Sequence, residues 1–97
     1  MTKKKWPARI KRTTLNNKRV WELVAEVEEI LKARYPDAEF EVYEGEDPQG
    51  VYIEVYTSKG DDDALEVIRT VSERTTDILL DEGYFINAVP LRRRNTG

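Results

Sequence analysis

Three consecutive carboxylates, Asp61, Asp62 and Asp63, follow Gly60 and form the densest run of chemically capable side chains in the sequence. Such a run could hold a hard cation. It stands at the start of a helix pattern, however, where one Asp caps the first turn and the others complement the helix dipole. Capping and dipole complementation are the favoured reading, and a carboxylate-based metal site at Asp61 to Asp63 is the weakest alternative. The same carboxylates would repel an anion, so Gly60 does not open a phosphate-binding loop. A second acidic group, Glu44, Glu46 and Asp47, lies in and beside a turn-like stretch from Gly45 to Gly50. Calcium takes about 6–8 oxygen ligands at defined spacing, and the EF-hand spacing is absent. No metal and no cofactor is expected.

The chain has no His and no Cys. That removes imidazole acid–base chemistry, the Ser-His-Asp triad, thiolate nucleophiles, disulfides and the common zinc sites. Carboxylates remain, 19 Asp and Glu in all, but no pair stands out as a general acid and base. The expectation is a protein without catalysis.

Tyr43, Tyr52 and Tyr56 are the more informative residues. Alternation over 38–44 and 51–57 puts them on one face of a β-hairpin, together with Glu41 and Glu54, while Val42, Ile53 and Val55 face the other way. Tyrosines on one sheet face pack across strands, each pair stabilising by about 0.2–1 kcal/mol. They also suit a protein interface, where Tyr is enriched. A base-stacking platform is the weaker alternative. Laid on the RNP1 pattern, the segment from Gln49 to Tyr56 matches only at Gly50 and Tyr56, and the key aromatic positions fall on Val51 and Ile53. Glu41 and Glu54 would repel a phosphate chain, and the Gly-x-x-Gly loop of KH domains is absent. The candidate protein interface is therefore Tyr43, Tyr52, Glu54 and Tyr56.

Charge is segregated. Residues 1–21 hold eight basic side chains and no acid; residues 22–91 hold all 19 acids and five bases. Lys3, Lys4, Lys5, Arg9, Lys11 and Arg12 at one end, and Arg92, Arg93 and Arg94 at the other, are candidate nucleic-acid contacts. The same ends could instead fold against the acidic body. The N-terminal stretch has basic residues but no apolar run of a secretory signal, and the longest apolar runs are far short of the roughly 20 residues that span a bilayer. A cytoplasmic location is the expectation.

The elements that must position these residues are legible from periodicity. Val20, Leu23, Val24, Val27, Ile30 and Leu31 recur at helical spacing within 17–34, with Asn16 or Asn17 as N-cap and Tyr35-Pro36 as the stop. Strands follow at 38–44 and 51–57. A second helix over 63–82 presents Ala64, Leu65, Ile68, Val71, Thr75, Ile78 and Leu79 on one face, and Gly83 ends it. That helix outruns a strand, so it overhangs the sheet or bends near Thr75-Thr76. A last strand is expected at 84–89, stopped by Pro90.

The predicted fold is α+β. It is a two-layer sandwich, with two helices packed on one face of a three- or four-stranded, mostly antiparallel sheet, in the order (β)-α-β-β-α-β. Residues 1–16 read as a basic N-terminal arm, 17–91 as a single domain, and 92–97 as a basic tail. A short edge strand over residues 8–12 would give the order of the ferredoxin-like unit. Without it, the element order resembles that of type II KH domains or the BolA-like fold, a likeness that carries no function. The functional expectation is a small interaction or regulatory module that self-associates through its sheet face or edge. The alternative is a nucleic-acid or ribosome-associated protein using the basic ends. No membrane partner is expected.

Overall fold

The computed structural model describes residues 11–58 and 64–92. Its elements are α1 (Lys18–Arg34), β1 (Glu39–Glu46), β2 (Gln49–Thr57), α2 (Ala64–Glu82) and β3 (Ile86–Arg92). The class is α+β, as the periodicity predicts. The sheet is mixed, with strand order β1-β2-β3. β1 and β2 pair antiparallel, whereas β2 and β3 pair parallel. This corrects the expectation of a mostly antiparallel sheet. Its cause is the connection: a helix between two neighbouring strands returns the chain to the same end, and so imposes a parallel pair.

Local chemistry explains the helix ends. The Asn17 carboxamide accepts the N–H groups of Arg19 and Val20 at 2.8 and 3.2 Å, satisfying two donors that a helix start leaves free. Gly83 ends α2 at φ 79°, where only glycine sits without strain, and its N–H closes on the carbonyls of Ile78 and Leu79. α2 runs unbroken through Thr75-Thr76.

One hydrophobic cluster joins α1 (Val20, Leu23, Val24, Val27, Leu31), β2 (Val51, Ile53, Val55), α2 (Val67, Val71, Ile78) and β3 (Ile86, Ala88). The buried face of α2 differs from the sequence reading. Val67 is buried, while Leu65 and Ile68 are 63% and 42% exposed. β3 is an edge strand, so part of the helix face reaches past the sheet and finds nothing there to cover it among the described residues.

Two strand boundaries also shift. The hairpin ladder runs out to Glu46 and Gln49, leaving only Asp47 and the cis-linked Pro48 as its tip. β3 starts two residues later than expected and continues through Pro90. The Val51 N–H donates to the Phe85 carbonyl at 2.9 Å, which commits the odd-numbered residues of β3 to the ladder. Pro90 therefore turns its nitrogen to the open edge, where a missing N–H costs no bond.

The root of the N-terminal segment is fastened to the sheet. Thr13 is fully buried. The Gln49 carboxamide accepts its N–H at 2.8 Å and donates to its carbonyl at 2.6 Å. Its hydroxyl oxygen accepts the Phe85 N–H at 2.9 Å. Residues 11 and 12 are not in a strand, and residues 8–10 of the possible edge strand lie outside the described residues. No helix among the described residues is long and apolar enough to cross a membrane.

Ion pairs tie the helices to their surroundings. Arg74 grips Glu26 of α1 with two hydrogen bonds, at 2.7 and 3.0 Å. Arg19 does the same to Glu82, at 2.8 and 2.7 Å, which holds the Glu82 carboxyl below the usual carboxylate range. A lowered carboxyl stabilises the fold above the ordinary Glu pKa, and loses that contribution as pH falls through the lowered value. Glu82→Gln should therefore shrink the loss of melting temperature between neutral and acid pH, as scanned by circular dichroism. Thr13→Val should lower the unfolding free energy by about 1–3 kcal/mol, because it strands the Phe85 N–H; urea denaturation reads this directly.

Candidate functional site

The hairpin register sets Tyr43 opposite Tyr52, Glu41 opposite Glu54, and Glu39 opposite Tyr56. On the other side of β2, Tyr52 neighbours Asn87, Glu54 neighbours Val89, and Tyr56 neighbours Leu91. Val51, Ile53 and Val55 are buried between these positions. Alternation thus brings all of the sequence-predicted interface residues onto the outer face of the sheet.

The aromatic end of this face is ordered by direct contacts. The Tyr43 and Tyr52 rings stack with centroids 5.4 Å apart and planes within 17°. Phe85 meets Tyr52 edge-on at 6.1 Å. The Tyr52 hydroxyl donates to the Pro48 carbonyl at 2.6 Å, which fixes the ring over the hairpin. Desolvation, then the neighbouring Tyr43 and Asp47, pushes the Tyr52 hydroxyl pKa up. Tyr43 remains 42% exposed, so one side of the stack is presented outward.

Two glycines make room for these rings. Gly45 and Gly50 face each other across the hairpin. A Cβ on Gly50 would stand 2.4 Å from Phe85 Cδ2 and 2.7 Å from the Phe85 carbonyl oxygen; one on Gly45 would stand 2.6 Å from Tyr52 Cε1. Phe85 is the site residue that the sequence reading missed. The signal was present: alternation through Tyr84-Phe85-Ile86 puts Phe85 opposite the buried Tyr84 and Ile86. The bare Gly50 leaves the space it fills.

The second row of the face is acidic. Glu41 and Glu54 are like charges set directly opposite, an arrangement that costs stability. The Tyr56 hydroxyl donates to Glu54 at 2.7 Å, so Tyr56 sits with the acids rather than with the ring cluster. Tyr43 and Tyr52 are therefore in ring contact, and Tyr56 stands four ladder positions away, two rows along the same face.

The basic residues divide differently. The Lys11 ammonium lies 5.0 Å from the centroid of the Tyr84 ring. Arg12 pairs with Glu46 at 2.8 Å. These cations, like Arg19, turn toward the body of the chain. Arg92 closes β3, whereas Lys3, Lys4, Lys5, Arg9, Arg93 and Arg94 lie outside the described residues, as do Gly60 and Asp61 to Asp63. Among the described residues, no group of three or more His, Cys, Asp and Glu side chains is arranged to hold a metal ion. Compared with protein-family models, curated protein sequences and solved structures, the chain shows no match.

Gly50→Ala should displace Phe85 and disturb the first bond of the parallel ladder. The expected cost is about 1–3 kcal/mol, as for overpacking elsewhere. Gly45→Ala should cost less, because a ring can swing where a backbone carbonyl cannot. Denaturation of both variants, with near-ultraviolet circular dichroism to follow the tyrosines, separates the two effects.

Proposed function

We propose that this chain is a small, non-catalytic protein-interaction module. In this reading it is a two-layer sandwich whose helices cover one face of the sheet and leave the other for a partner, in the first instance a second copy. The observation that carries the proposal is the outward-facing ring cluster of Tyr43, Tyr52 and Phe85 on the outer face. Rigid aromatic side chains bury large area at small entropic cost, and for that reason they anchor interfaces. The adjacent Glu41 and Glu54 give the face a polar, acidic border. They favour a two-fold arrangement that brings the ring clusters together and keeps the acidic rows apart, since apposed like charges are costly.

Sedimentation equilibrium on the full chain should give about twice the monomer mass. Tyr52→Glu should weaken the dimer by about 2 kcal/mol or more, roughly thirtyfold in Kd. A chain that stays monomeric at high protein concentration overturns self-association. Binding of single-stranded RNA with a steep salt slope would instead favour the basic ends as the functional surface.

A further inference from the structure

β3 is an edge, and no strand among the described residues pairs with its outer side. The ladder to β2 uses the odd-numbered residues, so Ile86 and Ala88 turn their N–H and C=O groups outward, while Pro90 has no N–H to offer. The root of the N-terminal segment does not cover them: Lys11 bonds to Gly83, and Thr13 to Gln49 and Phe85. α2 borders the same edge. Leu65, Ile68, Ser72, Thr75, Thr76 and Leu79 recur at intervals of three and four, forming one helical stripe without a single charge. Leu65, Ile68, Ser72 and Thr76 in it are exposed. A cavity of about 240 Å³ separates the middle of the stripe from the middle of β3; Ser72 and Thr75 line it on one side, Ile86, Asn87 and Ala88 on the other. Open backbone and uncovered helix therefore adjoin at one level.

We propose that a second copy of the chain occupies this edge, with the two β3 strands antiparallel about a two-fold axis at Asn87. The edge is self-complementary in that register. Ile86 falls opposite Ala88 of the copy, each donates its N–H to the other's carbonyl, and the symmetry repeats the exchange. The outward N–H groups of Ile86 and Ala88 are then satisfied, and Pro90 lies beyond the paired residues, where its ring obstructs nothing. An axis at Ala88 would instead set Pro90 opposite Ile86 and leave the Ile86 carbonyl without a donor. Side chains agree with this register, because the larger Ile86 is set beside the small Ala88. The helices agree as well. Ser72 and Thr75 face the middle of β3 across the cavity, so the same axis passes between them. Two stripes then run antiparallel, with Ile68 against Leu79 of the copy and small hydroxyl side chains at the centre, where the helices approach closest. The stripe carries no charge, so no charge loses its water there, and Arg69 comes level with Asp77 of the copy alongside it. The pairing also removes an edge that would otherwise recruit other chains. This contact is independent of the ring cluster, which lies on the outer face, and it adds to a pair formed there.

The test follows amide hydrogen exchange of the full chain by nuclear magnetic resonance, in dilute and in concentrated protein. Ile86 and Ala88 should exchange several-fold more slowly in the concentrated sample, whereas Asn87 and Val89, bonded to β2, should be slow in both. Ser72→Glu, at an exposed point of the stripe and away from the outer face, should abolish the protection of Ile86 and Ala88 with the far-ultraviolet circular dichroism unchanged. The register is read separately. Asn87→Cys gives the chain its only thiol, and on the axis two such residues stand about 4.5 Å apart between Cα atoms, within disulfide reach. Oxidised glutathione should link this variant into a covalent dimer, should not link Val89→Cys, and should lose the product when Ser72→Glu is added. Ile86 and Ala88 amides that exchange fast at every concentration overturn the inference, as does protection that survives Ser72→Glu. A Val89→Cys chain that links as readily as Asn87→Cys overturns it too.

Discussion

β2 has to satisfy neighbours of opposite sense on its two sides while burying every second side chain, and the other elements are arranged around that requirement. Its antiparallel partner arrives through a two-residue tip, so the register of β1 is fixed from Gly45 opposite Gly50 onward. Its parallel partner needs a crossover connection, which α2 supplies. Gly50 is the tightest point. Its bare Cα lets the Phe85 backbone approach, and the Val51 N–H then reaches the Phe85 carbonyl and starts the ladder. Thr13 and Gln49 lock the same end, since Phe85 spends its own N–H on the Thr13 hydroxyl. One end of the sheet thus holds the hairpin tip, the start of β3 and the root of the N-terminal segment together.

Charge is organised by the same geometry. The chain carries an acidic middle and basic ends, and the basic residues nearest the domain fold back on it: Arg12 on Glu46, Arg19 on Glu82, Lys11 over Tyr84. Exposed pairs of this kind stabilise little by themselves. They orient: each sits where the leading segment or α1 meets another element. The outer sheet face follows a different rule. Glu41 opposes Glu54 there, a placement that folding does not reward and that gives the face its acidic border. The Tyr35 hydroxyl is a contrasting case. It is buried without a hydrogen-bond partner, a cost accepted because the ring fills space in the core at the end of α1.

Much of this architecture is written locally. The 3.6-residue spacing of Val20 through Leu31 and the cap at Asn17 define α1 without reference to anything else, and Gly83 marks the end of α2 for a purely steric reason. Period-two alternation assigns Tyr43, Tyr52, Glu54 and Tyr56 to one face because side chains on a strand must alternate. Those signals depend on neighbours a few residues away, so the sequence determined the elements, the class and the membership of the outer face. The tertiary structure decided what depends on distant partners. Whether β3 runs parallel, whether Pro90 can lie inside it, and whether Leu65 and Ile68 are covered all follow from β3 being an edge beside β2. Phe85 joins the tyrosines because Gly50, 35 residues earlier in the chain, leaves its ring a space. Periodicity says which way a side chain points along its own element, but only the packing of elements says what it meets there.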